Sequence, residues 1–366
     1  MNATLKLATI VGARPQFVKA AVVSRAIRLT GNGNGGRAVQ ETLIHTGQHY
    51  DASMSQVFFD QLGMEAPRYN LAIGSGNHGE QTGRMLSEVE RVLLAEHPDW
   101  VLVYGDTNST LAGALAAAKL NLPIAHVEAG LRDYNRKAPE EINRIVADHL
   151  SQLLFVPTET ALRNLEAEGI TDGVHLIGDV MQDALAEYTQ TAQQKSTLLR
   201  DLGLVDRDYL LATIHRAENT DDHDRFAAIL RALRALAENN DVVWPVHPRT
   251  RKHLSQFEAM PARVHLLGPA SYLDMLALER SASIILTDSG GVQKEARWLN
   301  VPCVTLREET SWVETLQDGW NRLAGADTER ILAAAAAAKA MQVDRATPVS
   351  RSGAAYHVAN ILARQY

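Results

Sequence analysis

Asp106, Glu128, Glu140 and Glu141 are carboxylates of this chain gathered where they could move protons. Asp106 closes the apolar run VLVYGD, Glu128 closes IAHVE, and Glu140 opens the helical run PEEINR. Carboxylates gathered where strands end and helices begin are costly to desolvate unless a reaction uses them. Burial of one beside the others would raise its pKa, so a single residue type could supply both an acid and a base. Arg132, Arg136, Arg144 and Glu141 stand in the same stretch, Ile124 to Arg144. Glu140 and Arg144 are i,i+4 neighbours on the expected helix, so a salt bridge that orients Glu140 is expected.

A second group of residues suits an anion. Gly12-Ala13-Arg14-Pro15 follows the first strand and opens a helix, with Lys19 one turn on. Such a junction points amide N–H groups and the positive helix end above the sheet, and Arg14 adds a forked donor. A tight turn with two solvated cations is the competing reading. Asp288-Ser289-Gly290-Gly291 lies between the strand SIILT and the helix VQKEARWL. Adjacent glycines let a backbone approach a phosphate, Ser289 supplies a hydroxyl, and Glu295 follows within reach of ribose-like vicinal hydroxyls. An ordinary capped helix is the alternative there. No G-x-G-x-x-G follows a strand, which disfavours a nicotinamide cofactor.

His215 ends the strand of LLATIHRAEN, a position suited to a phosphate contact or proton transfer. His45 and His49 are four apart, but Gly47 breaks any helix between them, so no metal is expected. The one cysteine, Cys303 in VPCVTL, reads as a small buried core residue.

The elements that must position these groups alternate along the whole chain. Strands are expected near Leu5–Val11, Thr42–Thr46, Trp100–Tyr104, Ile124–Glu128, Leu153–Val156 and Val174–Ile177. A second set falls near Tyr209–His215, Val242–Val246, Val264–Leu267, Ile284–Thr287 and Cys303–Leu306. Most are unbroken apolar runs, as parallel strands covered on both faces require. Helical patterns lie between, among them Pro15–Leu29, Thr82–Ala95, Ser109–Lys119, Glu140–His149, Arg225–Glu238 and Ile331–Gln342. Repeated βα units occurring twice predict an α/β chain of two doubly wound, Rossmann-like domains. The first is expected over residues 1–180 and the second over 181–353, with the last helix, 354–366, crossing back onto the first. The loop Gly31–Gly36 reads as a flexible connector.

Length and composition agree with that layout. A chain of 366 residues exceeds one typical core. A net charge of −7 with no basic run argues against general nucleic-acid binding. A single cysteine fits a reducing compartment. No signal peptide or membrane-spanning run is apparent, so a cytoplasmic setting is expected.

Taken together, IVGARPQFVK, VLVYGDTNSTLAG, HVEAGLR…PEEINR, PTET, HRAEN and LTDSGGVQKEA occur in order over nearly the whole chain. This ordered set resembles the non-hydrolysing UDP-N-acetylglucosamine 2-epimerases of bacteria. The resemblance implies a fold like the B-type glycosyltransferases, with UDP in an interdomain cleft, a homodimer and no added cofactor. It implies catalytic roles for Asp106, Glu128, Glu140 and His215. It implies UDP-sugar contacts for Arg14, Lys19, Arg144, Ser289, Gly290, Gly291, Glu295 and Arg307. Glu141, Arg132 and Arg136, to which the resemblance gives no task, are expected in solvent. Two departures stand out. Family members carry Arg-Asp-x-Thr-Glu-Arg-Pro-Glu where this chain has Arg307 to Glu314 with Trp312 in place of an arginine. That region, with HTGQHYDASMSQVFF and HGEQTGRML, is closer to a branch acting on UDP-2,3-diacetamido-2,3-dideoxyglucuronate. Gln48-His49-Tyr50-Asp51 departs from the Gln-His-Arg of members activated by UDP-GlcNAc, so an allosteric site is not carried over.

The implied reaction interconverts UDP-GlcNAc and UDP-ManNAc, for surface-polysaccharide precursors, by elimination of UDP to 2-acetamidoglucal and re-addition. It needs an acid and a base on different sides of C2, carboxylates near C1, and a grip on the departing UDP. Glu128 or Asp106 is expected to be the C2 base, with Glu140 supporting C1 or C3. The same epimerisation on the diacetamido uronate is one alternative. A B-fold glycosyltransferase is another, although it would not need so many acids near the anomeric carbon.

Overall fold

A computed structural model describes residues 4–30, 37–48, 59, 61–205, 207–310, 312–317, 319–341 and 347–365. The loop Gly31–Gly36, the segment from His49 to Asp51 and Gln342, all read above from sequence, lie outside the described residues. The chain forms two compact units, residues 1–184 with 351–366, and residues 185–350.

The first unit is built on a seven-stranded parallel sheet in the order β3-β2-β1-β4-β5-β6-β7. Its strands are β1 (Leu5–Val11), β2 (Val39–His45), β3 (Tyr69–Asn70), β4 (Trp100–Tyr104), β5 (Ile124–Val127), β6 (Leu153–Val156) and β7 (Val174–Leu176). β4, β5 and β6 are buried at every residue, because helices cover both faces. The core runs from Ile10, Val101 and Val103 on the strands to Val89, Val92 and Ala114 on the helices. The chain order reverses between β1 and β4, which makes their carboxyl ends the switch point where ligands of open α/β sheets bind. Register then sets the chemistry. Tyr104 pairs with Val127, so Asp106 and Glu128 emerge beside one another at the ends of adjacent strands.

The second unit repeats the plan with six parallel strands in the order β10-β9-β8-β11-β12-β13. They are β8 (Tyr209–Thr213), β9 (Asp241–Pro245), β10 (Val264–Leu267), β11 (Ile284–Thr287), β12 (Cys303–Thr305) and β13 (Asn321–Leu323). Phe226, Trp244, Leu286 and Val304 sit in its core. The switch point lies between β8 and β11, and the pairing of Thr213 with Thr287 brings His215 level with Asp288. The edge strands β3 and β13 were not anticipated; two or three residues are too few to show a period.

The helix Ala354–Leu362 packs against the helix Arg14–Thr30 of the first unit. Asp183 fixes its start: its carboxylate accepts from the amides of Gly353 and Ala355, at 2.8 and 2.9 Å, and from the Ser352 hydroxyl. The alanine-rich helix runs Thr328–Lys339, with Asp327 capping the Arg330 amide. Among the described residues, no helix is long and apolar enough to cross a membrane.

Candidate active site

In the first unit each of two acids is held by its own cation. Arg144 donates from Nη2 to Asp106 Oδ2 at 2.8 Å, and Asn143 on the same helix, Pro139–Leu150, anchors the Asp106 carbonyl at 2.9 Å. Glu128 forms an ion pair with Lys19, both side chains being about nine-tenths enclosed. Glu128 also has a positive φ of 72°, unusual outside glycine and costing roughly 1–3 kcal/mol. The surrounding bonds hold it there: the amides of Glu128 and Ala129 both donate to the carbonyl of Phe155. Lys19 Nζ lies 3.5 Å from where a Cβ on Gly105 would stand, so the ammonium lies against the turn that carries Asp106.

Glu140 is placed differently from expectation. It is exposed in the first helical turn, and among the described residues no hydrogen bond or ion pair involves it. Arg144 instead contacts Asp106, Glu141 at 3.3 Å and Asp133 at 3.9 Å, so the expected Glu140–Arg144 bridge is absent. Glu141, expected in solvent, is buried and accepts from the amides of Tyr134 and Asp133. Burial pushes its carboxyl above the ordinary glutamate value, against the lowering effects of the Asp133 amide and Arg144. Arg132 is buried as well, forked onto Glu168 and bonded to Asp148, while Arg136 is exposed as expected.

The junction after β1 corrects a second expectation. The amides of Gly12 and Ala13 are not open to an anion; both donate to the Gln16 side chain, at 2.8 and 3.0 Å. Gln16 in turn donates to the carbonyl of Tyr104 and to Thr110. A Cβ on Gly12 would stand about 2 Å from the hydroxyls of Ser109 and Thr46, so glycine here serves close packing. Arg14, half-buried, remains the anion-binding candidate of this turn.

Sequence reasoning missed a buried charge network under the acids. His126 lies between Asp148 and the carbonyl of Gly105, 2.7 Å from each. Burial alone would push the Asp148 carboxyl up, but bonds and charge from His126 and Arg132 outweigh it and hold the carboxyl below the ordinary aspartate value. The histidine in IAHVE was the available signal. Its partner is twenty-two residues away, in the next helix.

In the second unit Asp288 is wholly buried and organises the end of β8. It accepts from the amides of His215 and Arg216 and from Asn219, and stands 3.3 Å from His215 Nδ1. The half-exposed imidazole is thereby oriented through one nitrogen. Ser289 caps the helix Gly290–Trp298 by accepting the Val292 amide, and its hydroxyl still has a proton to donate. The first-turn amides at Gly290 and Gly291 have no intrahelical partner, which suits an anion. Arg307 meets Glu218 at 3.0 Å. Trp312 lies against the same helix end, its Nε1 3.2 Å from where a Gly290 Cβ would be, with the Lys294 ammonium 3.7 Å from its ring centroid.

Glu295, one of the expected ligand contacts, is buried and has an unanticipated acidic neighbour, Glu279. Burial, then the charge of Glu295 and a hydrogen bond to it, push the Glu279 carboxyl well above the ordinary glutamate value. Beside Glu295, the Glu279 carboxyl therefore holds its proton to higher pH than a solvent-exposed glutamate. His45 is buried, 5.0 Å from the Phe17 ring, and burial lowers its pKa; His49 lies outside the described residues. Among the described residues no group of three or more His, Cys, Asp or Glu side chains is placed to hold a metal.

The chain is similar to known proteins over most of its length. The profile of the UDP-N-acetylglucosamine 2-epimerase family matches residues 34–363. A UDP-N-acetylglucosamine 2-epimerase homolog of Methanococcus maripaludis is 53% identical over 334 residues, 90% of this chain and 91% of the relative. The UDP-2,3-diacetamido-2,3-dideoxy-D-glucuronate 2-epimerase of Pseudomonas aeruginosa is 49% identical over 336 residues, again 90% and 91%. The crystal structure of Methanocaldococcus jannaschii UDP-GlcNAc 2-epimerase in complex with UDP-GlcNAc and UDP superposes with a TM-score of 0.88 at 40% identity. It covers 98% of this chain and 99% of that one.

Proposed function

The chain belongs to the UDP-N-acetylglucosamine 2-epimerase family and is an isomerase, and on that footing we propose that it interconverts UDP-GlcNAc and UDP-ManNAc by eliminating and re-adding UDP. The observation that carries the reading is the pair Asp106 and Glu128, side by side at the ends of β4 and β5, each on its own cation. A proton at C2 of a 2-acetamido sugar is not adjacent to a carbonyl, so direct removal is prohibitive. In the elimination a carboxylate takes that proton, C1=C2 forms, and the C1–O bond breaks with its electron pair on the UDP oxygen. That oxygen then adds back to C1 while a second carboxyl group delivers a proton to the opposite face of C2.

Glu128 or Asp106 acts as the base, and the exposed Glu140 supports positive charge at C1. Arg14, Lys19 and Arg144 neutralise charge in the first unit. In the second, the Ser289–Gly291 turn, His215 and Arg307 hold the diphosphate, and Glu295 takes the ribose. The enzyme acts as a homodimer in the cytoplasm, on precursors of surface polysaccharide. A second reading, C2 inversion of UDP-2,3-diacetamido-2,3-dideoxyglucuronate, is favoured by one observation: the Lys294–Trp312 stack at the Gly290 helix end, where family members carry arginine.

The test is incubation in heavy water with each UDP-sugar, read by NMR. Product deuterated at C2 is expected; epimer formed without solvent deuterium would overturn the elimination. The substrate that turns over decides between the two sugars.

A further inference from the structure

Two turns that carry catalytic acids end on one buried ion pair. His126 and Asp148 side chains are both fully enclosed. The Nδ1 of His126 lies 2.7 Å from Asp148 Oδ1 and its Nε2 lies 2.7 Å from the Gly105 carbonyl oxygen. With Asp148 ionised, both partners are acceptors, so both ring nitrogens donate. On the far side, Asp148 Oδ2 accepts the Gly130 amide at 3.1 Å and Arg132 Nη1 at 2.7 Å. Gly105 has a φ of 62° and immediately precedes Asp106. Gly130 has a φ of 80° and comes two residues after Glu128, whose own φ is 72°. The chain of bonds thus runs Gly105 carbonyl, His126, Asp148, Gly130 amide, from one acid-bearing turn to the other.

Stability is a poor explanation for such a pair. Taking two charges wholly out of water costs several kcal/mol per ion, and an apolar pair of similar volume often serves a core as well or better. What an apolar pair cannot do is grip a carbonyl on one turn and an amide on the next with fixed geometry. We infer that His126 and Asp148 are positioning residues that set the Asp106 turn against the Glu128 turn, so that the two carboxyl groups meet C2 from different directions. This rests on the elimination proposed above.

The experiment uses the full chain with UDP-GlcNAc, or with the diacetamido uronate where the wild type turns over only the uronate. Asp148→Asn removes the charge that joins the two turns. His126→Asn keeps a donor at the Nδ1 position and drops the Gly105 carbonyl, whereas His126→Gln keeps a donor toward that carbonyl. Glu168→Gln loosens Arg132 from its other partner and leaves both turns tied. Each variant is read by melting temperature, kcat and KM, deuterium at C2, and release of free 2-acetamidoglucal and UDP.

A misplacement near 1 Å can cost about 100-fold in rate, so kcat of Asp148→Asn and His126→Asn is expected to fall ~10- to 100-fold. KM should move less than about threefold, because the proposed diphosphate grip belongs to the second unit. Free glycal and UDP should rise relative to epimer, since removal of the proton and its return no longer match. His126→Gln should recover part of the loss, and Glu168→Gln should keep kcat within about twofold whatever its melting temperature. Unchanged kcat in folded Asp148→Asn and His126→Asn overturns the inference. So does an equal kcat loss in Glu168→Gln, which would mark the network as structural only. Wild-type product without C2 deuterium would instead overturn the elimination itself.

Discussion

Arg144 holds Asp106, with Nη2 2.8 Å from Oδ2, and leaves Glu140 alone. The remaining guanidinium contacts go to Glu141 and Asp133, so the cation is shared among three carboxylates and one of them is a proposed catalytic acid. Arg144→Lys should lower kcat ~10- to 100-fold, because a point charge does not reproduce the planar fork. A double-mutant cycle checks the pairing. Arg144→Lys should add little to Asp106→Asn, less than about twofold, since contacting residues are non-additive. It should combine multiplicatively with Glu140→Gln. Multiplicative loss with Asp106→Asn would show that the two do not act as a unit.

Glu140 offers the cleanest separation of activity from stability. Its carboxylate is exposed and, among the described residues, unbonded. Glu140→Gln gives up only a first-turn charge near the helix end, less than about 1 kcal/mol. Its kcat should nevertheless fall ~10²- to 10³-fold, the range for lost electrostatic support of transition-state charge. Glu141→Gln should do the reverse. It loosens a buried acceptor of the Tyr134 and Asp133 amides, so its melting temperature should fall while kcat per folded molecule changes little. Calorimetry beside initial rates on both variants tests the contrast.

The contrast also shows what was legible in the sequence. β1, β4, β6, β10 and β11 match their expected bounds residue for residue, and in β4 and β6, buried at every residue, no polar side chain interrupts the run. The turns bearing Asp106, Glu128, His215 and Ser289 followed from strand ends alone. What charge type could not reveal was direction. Glu140 and Glu141 are adjacent in sequence, yet one step of the helix turns the first outward and the second into the interior. The partner of Arg144 is thirty-eight residues away, and only the register of β4 against β5 brings it near. Gln16 was invisible for a similar reason, since its task is to satisfy amides that the motif suggested were open to phosphate.

Glu279 gives a pH dependence with a definite sign. Burial, then Glu295, raise its folded pKa well above the unfolded value of about 4.3. The folded form therefore keeps a proton that the unfolded chain releases above that value. Its contribution is fully present below about pH 4.3 and is lost as pH rises toward the folded pKa. Glu279→Gln removes that titration and keeps a donor toward Glu295. Between pH 5 and 8 the melting temperature of the wild type should fall relative to that of the variant. Melting curves that stay parallel across this range would contradict a raised Glu279 carboxyl.

Cys303 should be chemically silent in the folded protein. It is buried in β12, and burial is the main cause that pushes its thiol up to about 12. The thiolate is the reactive form, so at pH 8 a folded sample should resist alkylation. One thiol should appear on addition of denaturant. Rapid labelling under native conditions would mean that β12 opens far more readily than its buried position implies.

Trp312 and Lys294 should behave as one unit at the proposed UDP site. The Lys294 ammonium stands 3.7 Å from the Trp312 ring centroid, and the indole edge abuts Gly290. A desolvated cation–π contact is worth about 2 kcal/mol, and Trp offers the strongest face. Trp312→Phe keeps a ring under the cation and should lower the melting temperature modestly. Trp312→Arg, which restores the side chain of the better-known family members, sets a second cation beside Lys294. It should lower the melting temperature further and raise KM for the UDP-sugar, because the helix end at Gly290 is displaced. Adding Lys294→Gln to Trp312→Arg removes the repulsion and should recover part of both losses, whereas Lys294→Gln alone should be destabilising. Melting and KM across this cycle are the measurement. Equal effects of Lys294→Gln in both backgrounds would show that the stack contributes nothing to the site.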